Sequence, residues 1–71
     1  MKLSEAKALK HSDTVHHVSM KNADGTPTRA RVNGAVKTWV RSPDRVKVPM
    51  KHGLYTCFYI TEDNLDEWVL A

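Results

Sequence analysis

Beyond residue 13 the apolar residues of this chain fall mostly at every second position, in short runs bounded by turn residues. Ahead of that point they follow a helical spacing. Leu3-Ser4-Glu5-Ala6-Lys7-Ala8-Leu9 predicts one or two helical turns, with Ser4 as N-cap and Glu5 in the first turn. Leu3 and Ala8 have the spacing of a hydrophobic staple. A helix this short persists only by docking on the rest of the chain. His11-Ser12-Asp13 reads as a turn, and Thr14 to Met20 as a strand. In that strand Val18 and Met20 share one face while Val15 lies on the other, a mismatch that a bulge would repair.

Asn22-Ala23-Asp24-Gly25-Thr26-Pro27 is the strongest loop signal. A strand over Arg29 to Val32 follows, then Asn33-Gly34 as a hairpin turn and Ala35 to Arg41 as the returning strand. A two-residue loop would put Val36 and Val40 with the arginines. A three-residue loop, Asn33-Gly34-Ala35, pairs Val32 with Val36 instead. Ala30, Val32, Val36, Thr38 and Val40 then line one face, and Arg29, Arg31, Lys37, Trp39 and Arg41 the other. The second register separates apolar from charged residues better and is preferred. Ser42-Pro43-Asp44 turns the chain, and Arg45-Val46-Lys47-Val48 alternates with its valines inward. Pro49 ends that strand or marks an edge. After a turn at Lys51-His52-Gly53, Leu54 to Ile60 is the most apolar strand, with aromatics on both faces. This suggests a central strand or one covered by the N-terminal helix. Thr61 to Leu65 predicts a capped helical turn, and Glu67 to Leu70 a last short strand.

These elements form one domain over residues 1–71. Five or six short strands, a short N-terminal helix and a helical turn before the last strand resemble SH3-like small β-barrels. The resemblance is one of order and spacing over most of residues 13–71, and other small barrels such as the OB type stay open. A second resemblance lies in the residues themselves. Arg31-Val32-Asn33-Gly34, Val36-Lys37-Thr38-Trp39, Lys51-His52-Gly53-Leu54-Tyr55 and Ile60-Thr61-Glu62-Asp63-Asn64 look like small uncharacterised proteins encoded by bacteriophages and prophages. That resemblance implies a phage or prophage gene and brings no activity, cofactor or site with it.

Cys57 is the single cysteine, so no internal disulfide forms. The lone thiol and the lack of a leader-like apolar segment point to a cytoplasmic protein, in the host cytoplasm if the gene is viral. No apolar run approaches the roughly 18 residues of a membrane span, so no membrane partner is expected.

Charge changes the picture more than composition does. The net charge is only +3, yet residues 29–51 hold seven bases against Asp44 alone. The acids gather at the end, as Glu62, Asp63, Asp66 and Glu67. Arg29, Arg31, Lys37, Trp39 and Arg41 on one face, extended by Arg45 and Lys47, combine cations for phosphates with an aromatic for bases. The first functional reading is therefore a nucleic-acid binder, of DNA or RNA. The alternative is a protein-binding phage accessory factor that modulates a host protein, with Trp39, Tyr55, Tyr59 and Trp68 as anchors. The plainest reading is a solvated outer face with Trp39 lying under arginine stems.

Other chemistry is less well founded. His16 and His17 are adjacent on a strand and point to opposite faces, so they do not share an ion. One of them belongs at the core edge and the other in solvent. There is no second cysteine for a structural zinc site, and the acidic segment lacks the spacing of a calcium loop. No metal or cofactor is expected. Cys57 stands mid-strand as a small filler, and no nucleophile elbow, phosphate-binding glycine loop or paired carboxylate occurs. The sequence therefore reads as a non-enzyme.

Overall fold

The computed structural model describes residues 1–71. It is mostly β, with about 45% of the chain in strands and 11% in helices. In chain order the elements are α1 (Leu3–Lys7), β1 (Thr14–Lys21), β2 (Pro27–Val32), β3 (Lys37–Thr38), β4 (Val46–His52) and β5 (Thr56–Thr61). A 3₁₀ turn (Leu65–Glu67) and β6 (Trp68–Leu70) complete the chain. All pairings are antiparallel and form one six-stranded sheet.

β4 organises that sheet. Lys47 lies opposite both Lys37 and Thr61, and Lys51 lies opposite both Arg31 and Cys57. β5 therefore takes one edge of β4, while β3 and β2 share the other. β2 continues to β1, and β1 to β6. β5 and β6 do not pair, so the sheet curls without closing.

The inward residues are Val15, Ala30, Val32, Val46, Val48, Met50, Ile60 and Trp68, joined by Ala6 and Leu9 from the N-terminal segment. Full burial of side chains such as Met50 or Ile60 contributes about 1.5–3 kcal/mol each. The short helix docks on β4 rather than on the apolar strand β5. It begins two residues earlier than Ser4 suggests. Lys2 is the N-cap, and its backbone N–H donates to the Glu5 carboxylate at 2.7 Å. The Met1 nitrogen donates to the carbonyls of Leu65 and Trp68, both at 2.8 Å, and ties the start of the chain to the 3₁₀ turn.

The predicted irregularity in β1 is present between His16 and Lys21, but it serves a different residue. Val18 and Met20 remain exposed, and His17 is buried instead. Its Nδ1 accepts the N–H groups of Ser19 (3.1 Å) and Met20 (2.9 Å), while Nε2 faces Glu67 Oε1 at 3.6 Å. The Trp68 ring meets the imidazole edge-on, with centroids 4.9 Å apart.

Two expectations are corrected. The hairpin between Arg29–Val32 and Ala35–Arg41 does not form in either register, because β2 pairs with β1 and β4 and never with β3. After Val32 the Asn33 N–H donates to Pro49 O at 2.8 Å, so the chain bends across β4 instead of doubling back. β3 shrinks to two residues, and Val40 is 99% exposed rather than inward. The second correction concerns Pro49, which lies inside β4, not at its end. On the edge of β4 away from β5, β3 covers Val46–Lys47 and β2 covers Met50–Lys51. Pro49 falls in the gap between them, where no strand asks for its missing N–H.

Candidate functional site

Alternation along β4 buries Val46, Val48 and Met50 and turns Arg45, Lys47, Pro49 and Lys51 to the outer face. Cross-strand partners point to the same side of a sheet, so the pairings assemble two rows on that face. One row is Lys37–Lys47–Thr61. The other is Thr14–Arg31–Lys51–Cys57, with His16–Arg29 beside it. Lys47 and Lys51 are four residues apart on one strand, which places the rows about 13 Å apart.

Arg29, Arg31 and Lys51, with the Thr14 hydroxyl, border a shallow recess of about 260 Å³ that also touches Ala30 and Gly53. None of the three cations has a carboxylate partner. The only ion pairs in the molecule are His17–Glu67 and Arg45–Glu62, the latter at 3.4 Å. At the other row the cations engage aromatics. The Arg45 guanidinium lies 4.1 Å from the Trp39 ring centroid, Lys37 Nζ 5.2 Å from the same ring, and Lys47 Nζ 4.2 Å from the Tyr59 ring.

The structure thus redistributes the residues singled out in the sequence. Arg29 and Arg31 share a face with Lys37, Lys47 and Arg45, but β4 joins them, not a β2–β3 hairpin. Trp39 follows β3 in the connection to β4 and is half-buried under Arg45 and Lys37. Arg41 is exposed in the turn beyond it and lies on no strand. Arg45 is partly neutralised by Glu62. Of the aromatic anchors considered for a protein partner, Tyr59 is on the outer face. Tyr55 is 92% exposed at the β4–β5 turn, beside the exposed Leu54. Trp68 is 7% exposed and belongs to the core, so it cannot anchor a partner from the surface.

Lys51 and Thr14 were missed. Local sequence places Lys51 in a turn, because Pro49 reads as a strand end or an edge. Carrying the alternation of Arg45 and Lys47 through Pro49 puts Lys51 on their face. Inside the sheet's open side lies a second recess of about 230 Å³, lined by Met20, Thr28, His52, Thr56, Phe58 and Trp68. Phe58 and Trp68 stack there with centroids 5.3 Å apart and planes 22° apart. No group of three or more His, Cys, Asp or Glu side chains converges as a metal site would require. No helix is long and apolar enough to cross a membrane. No protein-family model, curated protein or solved structure matches the chain.

Proposed function

We propose that this chain is a small β-sheet binding domain that holds nucleic acid by its phosphates on the outer face of β2, β3 and β4. The observation that carries the reading is two pairs of like-charged cross-strand neighbours, Arg31 opposite Lys51 and Lys37 opposite Lys47. Like charges placed directly opposite destabilise a sheet, and no carboxylate relieves Arg31 or Lys51. A polyanion laid across both rows turns that repulsion into attraction. The order of the elements, short strands with a helical turn before the last one, supports an SH3-like architecture for the binder. Trp39 contributes less to base stacking than its residue type suggests, because Arg45 and Lys37 already lie against its ring.

The test is the single substitution Lys51→Glu. It converts the Arg31–Lys51 pair into opposite charges, so stability to urea should rise by about 0.2–1 kcal/mol. Affinity for a short single-stranded oligonucleotide should fall by about tenfold at low salt. In the unaltered chain, five engaged cations (Arg29, Arg31, Lys37, Lys47, Lys51) give a slope of log K against log salt of about −3.5 on single strands. Binding that ignores salt, or that survives Lys51→Glu unchanged, removes the reading.

The exposed Leu54 and Tyr55 at the β4–β5 turn favour a second reading, a protein-binding accessory factor of phage origin acting on a host protein. Retrieval of a bacterial protein that persists after nuclease treatment and is lost in Tyr55→Ser supports it. Loss of that protein with nuclease alone returns the weight to nucleic acid.

A further inference from the structure

A sheet that does not close leaves strand edges, and the edges here are not alike. β3 is two residues long and β6 three. At β6 the Met1 nitrogen already occupies the Trp68 carbonyl, and the Trp68 N–H donates to Leu65 O. β5 is six residues long, Thr-Cys-Phe-Tyr-Ile-Thr, and pairs with β4 alone in an unbroken register. It carries no charge, no proline and no bulge, the devices that keep an edge from pairing.

Pro49 shows which backbone groups face that edge. It lies opposite Tyr59, has no N–H, and its carbonyl accepts the Asn33 N–H on the β2 side. The ladder bonds to β5 therefore run through the alternate pairs Val48–Ile60, Met50–Phe58 and His52–Thr56, and Cys57, Tyr59 and Thr61 turn their backbone outward. Asn64 covers the far end: its Nδ2 donates to Tyr59 O at 3.2 Å, and its Oδ1 accepts the Thr61 N–H at 2.8 Å. The Cys57 N–H and carbonyl and the Tyr59 N–H stay on the open edge. We infer that β5 pairs antiparallel with β5 of a second copy of this chain, across a two-fold axis at Cys57.

The edge is complementary to itself in that register. Each Cys57 exchanges its free N–H and carbonyl with the partner's Cys57. A slip that set Cys57 opposite Tyr59 would call on the Tyr59 carbonyl, which Asn64 already holds. With Cys57 on the axis, Tyr59 lies across from the partner's Tyr55, and both rings are exposed in the single chain. The Glu62-Asp63 end of one β5 comes beside the hairpin end of the other, which carries Lys51 and His52. The outer faces then join, and the row Arg31–Lys51–Cys57 runs on through the partner's Cys57 and Lys51. The two lysines stand three strand spacings apart, about 14 Å. That exceeds a Debye length of about 8 Å, so their repulsion does not oppose the joint. A two-fold pairing uses the open edge on both copies and stops there. The joint does not depend on the phosphate reading.

The experiment uses the full chain, reduced and free of nucleic acid, from micromolar to millimolar concentration. In sedimentation equilibrium the mass should rise from 8.1 kDa toward twice that value. Amide exchange followed by NMR locates the contact. The Cys57 and Tyr59 amides should exchange freely in dilute solution and slow about tenfold once nine-tenths of the chain is paired. The Phe58 and Ile60 amides, bonded to β4, should be protected throughout. Cys57→Pro removes an N–H that β4 does not use, so the variant should fold and stay at 8.1 kDa. A chain that remains 8.1 kDa at millimolar concentration overturns the inference and leaves the phosphate reading standing. So does a dimer in which Cys57 and Tyr59 still exchange freely, or one that Cys57→Pro still forms.

Discussion

Asp24 shows how much of this chain's local order rests on short polar side chains. Its Oδ1 accepts the Thr26 hydroxyl at 2.6 Å and the Thr26 N–H at 3.0 Å, while Asn22 closes the same loop through its amide. The Thr26 side-chain bond, then the backbone bond, hold the Asp24 carboxyl below its ordinary value. A carboxyl depressed in the folded state contributes stability above its unfolded pKa, about 3.9, and that contribution is lost as pH falls through the folded value. Thr26→Ala removes the larger cause. The Asp24 titration, followed by carboxyl ¹³C shifts, should move up toward about 3.9. A midpoint that stays put would mean the hydroxyl does not hold the charge. The same scale separates the two tryptophans. Trp39 is half-buried under two cations on the surface, whereas Trp68 is packed between Phe58 and His17.

At the scale of elements, Asn33-Gly34 and Pro49 have to be read together. Gly34 has φ +150°, and a Cβ added there would lie 3.1 Å from Pro49 Cγ. The glycine permits the chain to cross close over β4, where local sequence alone suggests a hairpin. Gly25, at φ +87°, has nothing near its Cβ position. Gly25→Ala should therefore cost only the backbone strain, about 1 kcal/mol, while Gly34→Ala adds a clash and should cost about 2 kcal/mol or more by urea denaturation. Equal losses would show that Pro49 yields freely. This contrast also explains what was legible in the residues. Alternation located β1, β2, β4 and β5 and put Val32, Val46 and Val48 inside, because each strand reports its own two faces. It could not report which strand lies beside which. Neighbours are chosen by the competition among all inward faces, and β4, with Val46, Val48 and Met50, took both β2 and β3 from each other. The basic face survived that error, since Arg29, Arg31, Lys37 and Lys47 point outward under either pairing. Lys51 was lost with Pro49.

For the molecule as a whole, the outer face of the sheet carries a reporter already in place. Cys57 is exposed and stands in the same row as Arg31 and Lys51, directly opposite the lysine. It lies outside the core, so alkylating it reads access to the face without disturbing the fold. A strand whose phosphates sit on Arg29, Arg31 and Lys51 passes within a few ångströms of the thiol, and covering it excludes reagent. Iodoacetamide is uncharged, so its approach is not itself governed by the basic field. Saturating oligonucleotide should slow alkylation of Cys57 at least fivefold at low salt, with the free rate restored at high salt as the phosphates release. Lys51→Glu should abolish the protection at the same oligonucleotide concentration. A Cys57 that reacts at its free rate while anisotropy reports saturation would put the nucleic acid on some other surface, and the row of Arg31 and Lys51 would then be only a solvated exterior that the sheet tolerates.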